Sequence, residues 1–201
     1  NLGTSAIKNL SRILSIKSFD NNVVATSELT TRVTEGTTTI YVTVEVSSSI
    51  LLLPEVPMTG RLDNPRVGYF TNPLTNFSDG QQRVNKKQFI TRWRLEPRPE
   101  DRAAYLRGEL VEPRKPIVFY IENSTPYRWR KYIKQGIEDW QVAFERAGFK
   151  NAIIAKDITE DMEVDMDDVN YSVLTYAAST KANAMGPSMM HGRNPSSFLT
   201  A

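Results

Sequence analysis

The sequence contains no cysteine and a single histidine, His191, among its 201 residues. Without cysteine the chain forms no disulfide and offers no thiolate for catalysis or metal binding. A histidine-rich zinc site needs two or three imidazoles with a carboxylate, and the other zinc sites need cysteines. These residues alone therefore predict no complete metal site. The missing cysteines leave the compartment open, because many exported bacterial proteins also lack them.

Long apolar runs are also missing. The run from Ile50 to Leu53 is far shorter than the roughly 20 residues of a membrane-spanning helix, so we expect no transmembrane segment. No Walker A, GxGxxG or GxSxG motif is present. The formal net charge of +2 predicts no strong attraction to nucleic acid. The sequence has no initiator methionine and no signal peptide, so we expect a mature or trimmed piece of a protein.

The first half of the sequence has the residue pattern of antiparallel strands. Ile40, Val42, Val44 and Val46 alternate with polar residues, which predicts a strand buried on one face. The stretch "VVATSELTTRV" before it predicts a partner strand, and "TEGT" between them predicts a hairpin loop with a positive φ at Gly36. "SSSILLLPE" predicts a further strand after this pair.

Other parts of the first half are less regular. Residues 1–22 fit either a helix or an extended segment, a short strand is predicted at 67–70, and "QRVNKKQFITRWRLEP" predicts a long strand. Residues 97–115 are charged and bounded by prolines, with room for one short helix near Ala103. We interpret them as a connector.

The second half is dominated by one amphipathic pattern between Thr125 and Ala147. Its apolar positions recur three or four residues apart, which predicts one helix with a core-facing stripe. Thr125 is a predicted N-cap and Gly148 a left-handed C-cap. Gly136 in mid-helix suggests close packing against a neighbour. The stripe consists of Trp129, Ile133, Ile137, Trp140, Phe144 and Ala147.

Two apolar strands flank this helix. "KPIVFYIEN" precedes it and "NAIIAKD" follows it, so the three elements predict a βαβ unit with a parallel sheet. "YSVLTYAAS" and "AMGPSMM" predict a third and a fourth strand, and "SSFLTA" resembles the start of a fifth. One helix leaves the other face of such a sheet uncovered, so something must cover it.

Several polar features admit two readings. His191 is a possible ligand, but a histidine beside Gly192 is more typical of a polar loop. The acidic run from Asp157 to Asp168 could bind calcium, but it lacks the glycine and the final glutamate of an EF-hand loop. Asp79 could block a zinc ion in a latent enzyme, but Asp before Gly80 is typical of a turn. In each case we favour the second reading.

Two further groups also have a structural explanation. The arginines of residues 92–114 alternate with glutamates and an aspartate, which is typical of a mixed solvated surface. The aromatic residues of the helix could form a ligand platform, but their spacing favours a position in the core.

The order of these segments resembles a family of large bacterial zinc-dependent metalloproteases of metzincin type, known best from Bacteroidetes. The resemblance rests on "RLDNPRVGYF", "ITRWRLEP", "GIEDWQVAFERAGF", "YSVLTYAAST" and "MGPSMM" and covers roughly residues 55–190. In that family a β-rich domain of unknown function precedes the catalytic domain. The resemblance implies an α+β chain with three parts: the C-terminal part of an antiparallel β-rich accessory domain at 1–96, a charged linker at 97–115, and the first half of a metzincin-like sheet at 116–201.

The family's topology implies strands at 116–123, 151–156 and 171–177, a helix at 126–147 and an edge strand at 184–190. The HExxHxxGxxH helix of the family would lie beyond Ala201, so no catalytic or metal-binding residue is assigned here and the segment itself is expected to be inert. In the parent protein, zinc would activate a water and polarise the scissile carbonyl. Peptide or protein substrates would pair with the edge strand. By position that strand is Met185, Gly186, Pro187 and Ser188, although Pro187 lacks one donor.

Two functions from different classes therefore stand as hypotheses. The first is part of an extracytoplasmic zinc metallopeptidase, with zinc as the cofactor of the parent protein. Its partners would be the peptide substrate and the remaining C-terminal part of the same chain. The alternative is a non-catalytic β-rich surface module for binding or assembly.

Overall fold

The fold is α+β and β-rich, with mostly antiparallel sheets and few helices. This computed structural model describes residues 6–77, 80, 84–181 and 183–186, and the backbone of 189–191 and 194–199. The chain divides into two compact units, Asn1–Leu52 and Leu53–Ala201. The coarse fold prediction is therefore confirmed, and the predicted limits of the three parts stay predictions.

The first unit is one antiparallel sheet of three strands in the order β1-β2-β3. A 3-10 turn at Lys8–Leu10 precedes β1 (Arg12–Ser18), and β2 (Asn22–Glu35) and β3 (Thr38–Leu51) form a long hairpin. For residues 1–22 the sequence fits either a helix or an extended segment, and residues 12–18 are extended. "SSSIL" is the end of β3, so the prediction of a separate strand there is wrong.

The hairpin follows the local chemistry of its residues. Gly36 has a φ of 60° in the two-residue loop, as predicted. Val42, Val44 and Val46 are half-buried, while the polar residues between them are exposed. The predicted alternation is confirmed for these three valines, and Ile40 beside the loop is exposed.

The second unit begins with a two-stranded antiparallel sheet of β4 (Thr71–Asn76) and β5 (Asn85–Ile90). The strand predicted at 67–70 is wrong. Asn64 Oδ1 accepts a bond from the Arg66 amide at 3.1 Å and the Asn64 carbonyl accepts one from the Val67 amide at 2.9 Å, so the chain turns there. The predicted long strand is shorter and ends at Ile90, which is almost completely buried. Asp79 lies outside the described residues.

The segment predicted as a connector contributes to a core. It holds the predicted short helix, α1 (Arg102–Leu106), and then Val111, which is buried with Phe149 and Ala152. The Tyr105 ring stacks on Phe149 with ring centroids 5.0 Å apart. These contacts attach α1 to the following layer.

That layer is a three-stranded parallel sheet in the order β7-β6-β8, which confirms the predicted βαβ unit. Its strands are β6 (Ile117–Ile121), β7 (Ile153–Asp157) and β8 (Ser172–Leu174). The connection from β6 to β7 contains two helices, α2 (Tyr127–Glu138) and α3 (Gln141–Arg146), and the chain turns between them at residues 139–140. The prediction of one uninterrupted helix is therefore wrong.

The ends of these helices are only partly as predicted. Gly148 has a φ of 94°, which confirms the left-handed C-cap. Thr125 makes no capping bond, since Pro126 occupies the N-cap position and no side-chain cap bond is present. Thr125 is buried instead, and its Oγ1 has no hydrogen-bond partner among the described residues.

The apolar stripe of the helix is incompletely buried. Ile133, Ile137 and Phe144 are half-buried, but Trp129 is 43% exposed and Trp140 65% exposed, so their predicted place in the core is wrong. α2 packs against β7, which is an edge strand of the three-stranded sheet, and Trp140 lies in the turn between α2 and α3. A Cβ added at Gly136 would meet nothing within 4 Å, so the expected close packing is also wrong.

The last strands are β9 (Met189–His191) and β10 (Asn194–Leu199). They pair antiparallel with each other in a separate two-stranded sheet. The predicted fourth and fifth strands thus exist in this region, with bounds that differ from the predicted ones. No helix among the described residues is long and apolar enough to cross a membrane.

Candidate functional site

The two faces of the parallel sheet are buried to different degrees. Residues that are register partners in a sheet point to the same face. The first face carries buried positions on all three strands, and the second carries only half-buried or exposed positions. The buried positions are Ile117, Ile121, Ala155 and Ser172. The second face consists of Val118, Tyr120, Ile154, Lys156 and Val173.

The second face is apolar apart from Lys156, which makes it the best candidate for a functional surface in this layer. On it, the rings of Tyr120 and Tyr171 meet edge to face with centroids 5.3 Å apart. Parallel sheets are normally covered on both faces, and their strands read as continuous apolar runs for that reason. We call the five residues of the second face the open face. They are Val118, Tyr120, Ile154, Lys156 and Val173.

Charged groups join the helix to the carboxyl end of the sheet. Lys134 Nζ lies 2.5 Å from Asp157 Oδ2, and Arg130 Nη1 lies 3.9 Å from Asp157 Oδ1. Arg130 also donates to the carbonyl oxygens of Asn123 at 2.8 Å and Thr125 at 3.0 Å. Two cations therefore lie at the Asp157 carboxylate, which makes it an anchor for α2.

A second set of bonds positions the start of β7. Gln141 Oε1 accepts from the amides of Ala152 at 3.0 Å and Ile153 at 3.3 Å, and Gln141 Nε2 donates to the Phe149 carbonyl at 3.3 Å. Glu138 Oε1 accepts from the Ala155 amide at 3.4 Å. Sequence reasoning missed Gln141. The signal available was a polar residue inside the predicted apolar stripe.

The predicted substrate strand is only partly within the described residues. Met185 and Gly186 lie outside any strand, and Met185 is 85% exposed. Pro187 and Ser188 lie outside the described residues. The neighbouring strand β9 pairs with β10 in a separate two-stranded sheet. Substrate binding at Met185–Ser188 stays a prediction.

The residues that the structure describes offer no place for zinc. Among them no group of three or more His, Cys, Asp or Glu side chains could hold a metal ion. The acidic residues after β7 fall in a loop, where Asp165 Oδ1 and Asp168 Oδ1 accept bonds from the amides two residues later at 2.9 Å. Of His191 the structure describes only the backbone, at the end of β9.

Three of the arginines between residues 92 and 114 form exposed ion pairs, which agrees with the predicted mixed surface. Arg94–Glu96 and Arg98–Glu112 are 3.1 Å apart and Arg107–Glu109 is 2.7 Å apart. Arg92 differs from them. Burial, and then the nearby charge of Arg61, lower the pKa of its guanidinium, and its Nη2 donates to the Thr59 carbonyl at 3.0 Å.

The comparisons with known proteins found similarity in the first half of the chain. Residues 1–98, just under half of the 201 residues, match a family described as a domain of unknown function (DUF5117). No match to the chain was found among the curated proteins or among the solved structures. The family's description carries no activity, so the function rests on the residues themselves.

Proposed function

We propose that this chain is part of a zinc-dependent metallopeptidase of metzincin type, and that the parallel sheet is the first half of its catalytic layer. The observation that supports the proposal most is the open face. α2 packs against β7, and one face of the sheet carries buried residues, while Val118, Ile154 and Val173 on the other face remain partly exposed. A layered α/β unit requires apolar cover there.

The sequence of elements also supports the proposal. The resemblance implies a strand, one long helix and two further strands. β6, β7 and β8 follow in that order, with the two helices α2 and α3 in place of the single long helix. The order β7-β6-β8 places the first strand between the second and the third. The active-site helix of the parent protein would pack on the open face, with its zinc on the side away from α2.

This chain's own part in such an enzyme is structural. The described residues do not fit a zinc site. Following the resemblance, we propose that the zinc ligands and the general base belong to the part of the parent protein beyond Ala201. Asp157, Lys134 and Arg130 fix α2 to the sheet, and Gln141 fixes the entry to β7. Met185–Ser188 remain the proposed substrate strand, and we propose an extracytoplasmic location for the parent protein.

Casein cleavage by the natural protein tests the proposal. We expect cleavage that a zinc chelator abolishes and that added zinc restores, because the metal supplies the activated water. The control is the 201-residue chain alone. It should not cleave casein in buffer, with the chelator, or with added zinc. Cleavage that persists in chelator would contradict the zinc mechanism.

A second candidate is a non-catalytic binding or assembly module. The observation that favours it is the long β2–β3 hairpin, because a sheet with a free edge can accept another strand. The same assay separates the two candidates. A natural protein that has no HExxH motif and does not cleave casein would be a binding module.

A further inference from the structure

The outer edge of β3 has none of the features that normally protect an edge strand. Proteins protect edges with short strands, prolines, bulges or charges. β3 spans 14 residues, contains no proline and has one charged side chain, Glu45. Its pairing with β2 runs from Thr38 to Leu51 without a register shift. Among the described residues, β3 pairs with β2 alone.

The half of the hairpin near its loop also lacks support from a third strand. β1 pairs only with Val23–Glu28 of β2, so the hairpin beyond Thr31 is two-stranded in the part that the structure describes. Val33, Ile40 and Tyr41 in this half are exposed. A two-stranded hairpin is marginal in water, so a further strand would stabilise it.

The hairpin geometry determines which backbone groups point outward. Gly36 has a positive φ of 60° as the first of two loop residues, which fits a type II′ turn. Such a turn makes Glu35 and Thr38 a hydrogen-bonded pair, and the bonding then alternates along the ladder. Even-numbered residues of β3 therefore bond to β2, and odd-numbered residues direct their N–H and C=O groups to the free edge.

The geometry points to a second copy of this chain as the partner, paired antiparallel through β3 about a two-fold axis at Val44. The odd-numbered residues Thr43 and Glu45 would then exchange backbone hydrogen bonds across the axis. Val44 would face Val44 of the second copy, and Val42 would face Val46 of the second copy. The two sheets would join into one six-stranded sheet.

Charge and burial favour this register. Glu45 would face Thr43 of the second copy, whereas a shift of the axis to residue 45 would place two like charges directly opposite each other, which destabilises a sheet. The half-buried Val42, Val44 and Val46 would form one apolar stripe across both copies. A two-fold dimer needs only one self-complementary surface and is the commonest symmetric assembly. The pairing is independent of the proposed peptidase activity.

Single cysteines test the pairing directly, because the chain has none of its own. At the axis the two Val44 Cα atoms would lie about 4.5 Å apart, within the range of a disulfide. The two Val42 Cα atoms would lie about 14 Å apart, which is too far. We expect Val44→Cys to form a cross-linked dimer under mild oxidation and Val42→Cys to remain a monomer on a denaturing gel. Absence of a cross-link for Val44→Cys, or equal cross-linking of both, would overturn the proposal.

Analytical ultracentrifugation of the 201-residue chain provides the second measurement. We expect a dimer for the unmodified chain and for Ser47→Ala, and at least a tenfold weaker dimer for Ser47→Pro, since proline removes an outward N–H from the edge. Both variants lose the same hydroxyl, which lies 3.4 Å from Thr26 Oγ1. A monomer at all concentrations of the unmodified chain would show that the partner is not a second copy.

Discussion

The ammonium group of Lys134 lies 2.5 Å from Oδ2 of Asp157, the last residue of β7. The two residues are 23 positions apart in the sequence, and both side chains are about one-third exposed. The contact joins the middle of α2 to the carboxyl end of the sheet. Together with the bonds of Arg130 and Glu138, it fixes α2 to the sheet.

The Lys134–Asp157 pair gives the first prediction. Lys134→Met should lower the free energy of unfolding by about 1 kcal/mol, at the upper end for a solvent-screened ion pair, because the carboxylate keeps only the more distant Arg130. Urea unfolding at low salt measures the loss, which should shrink at high salt. Arg107→Met removes a more exposed pair with Glu109 and serves as the control, with a change within about 0.5 kcal/mol. Equal losses for both variants would contradict the assigned role of Lys134.

Gly148 and Gly136 give a matched pair of substitutions. Gly148→Ala should cost about 1–3 kcal/mol, since the φ of 94° is strained for alanine and the added Cβ would lie 2.6 Å from Tyr105 Cε2. Gly136→Ala should instead stabilise the protein by about 1 kcal/mol, because the site is open and helical. Thermal unfolding of both variants measures the difference. A loss of stability for Gly136→Ala would mean that the site is not open.

The third prediction concerns Gln141. Gln141→Leu should destabilise the protein by about 1–3 kcal/mol, since the buried Ala152 amide loses its acceptor. Gln141→Glu keeps an acceptor for the Ala152 and Ile153 amides and removes only the Nε2 donor, so it should lower the free energy of unfolding less. Gln135→Leu on the exposed side of α2 is the control and should change stability by less than about 0.5 kcal/mol. If Gln141→Leu and Gln141→Glu lower the free energy of unfolding equally, the bonds from the Ala152 and Ile153 amides to Gln141 do not explain the loss.

Features that depend on local chemistry were predictable from the sequence. The positive φ values at Gly36 and Gly148 and the parallel pairing of β6 with β7 follow from turn residues and from apolar periodicity. Features that depend on how a helix or strand packs against its neighbours could not be predicted from the sequence. Trp140 is exposed in the turn between α2 and α3, and the apolar spacing alone did not predict that turn. The role of Gln141 follows from the position of the loop before β7.

The candidate site was predicted less well than the fold. The need for cover on the sheet was expected from the single helical layer, and the open face agrees with that expectation. The substrate strand at Met185–Ser188 could not be derived from a repeating pattern, because four residues around a proline have no periodicity to test. Its assignment depends on the resemblance alone.

A fourth prediction concerns pH. The pKa of Asp161 is lowered, first by a hydrogen bond from the Thr159 side chain and then by its own backbone N–H. A lowered pKa contributes stability above the pKa of the unfolded state, and this contribution is lost as the pH falls through the folded value. Thr159→Val should raise the pKa of Asp161 in a carboxyl ¹³C NMR titration, while Thr159→Ser should preserve it. An unchanged pKa in the valine variant would contradict the assigned bond.

The zinc content of the natural protein is the most direct measurement of the central proposal, that the open face supports a metal-binding layer. Metal analysis after gel filtration should find one tightly bound zinc per natural chain and none on the 201-residue chain, whose described residues offer no ligand set. A natural protein that cleaves peptides without zinc, or a 201-residue chain that binds zinc by itself, would contradict it.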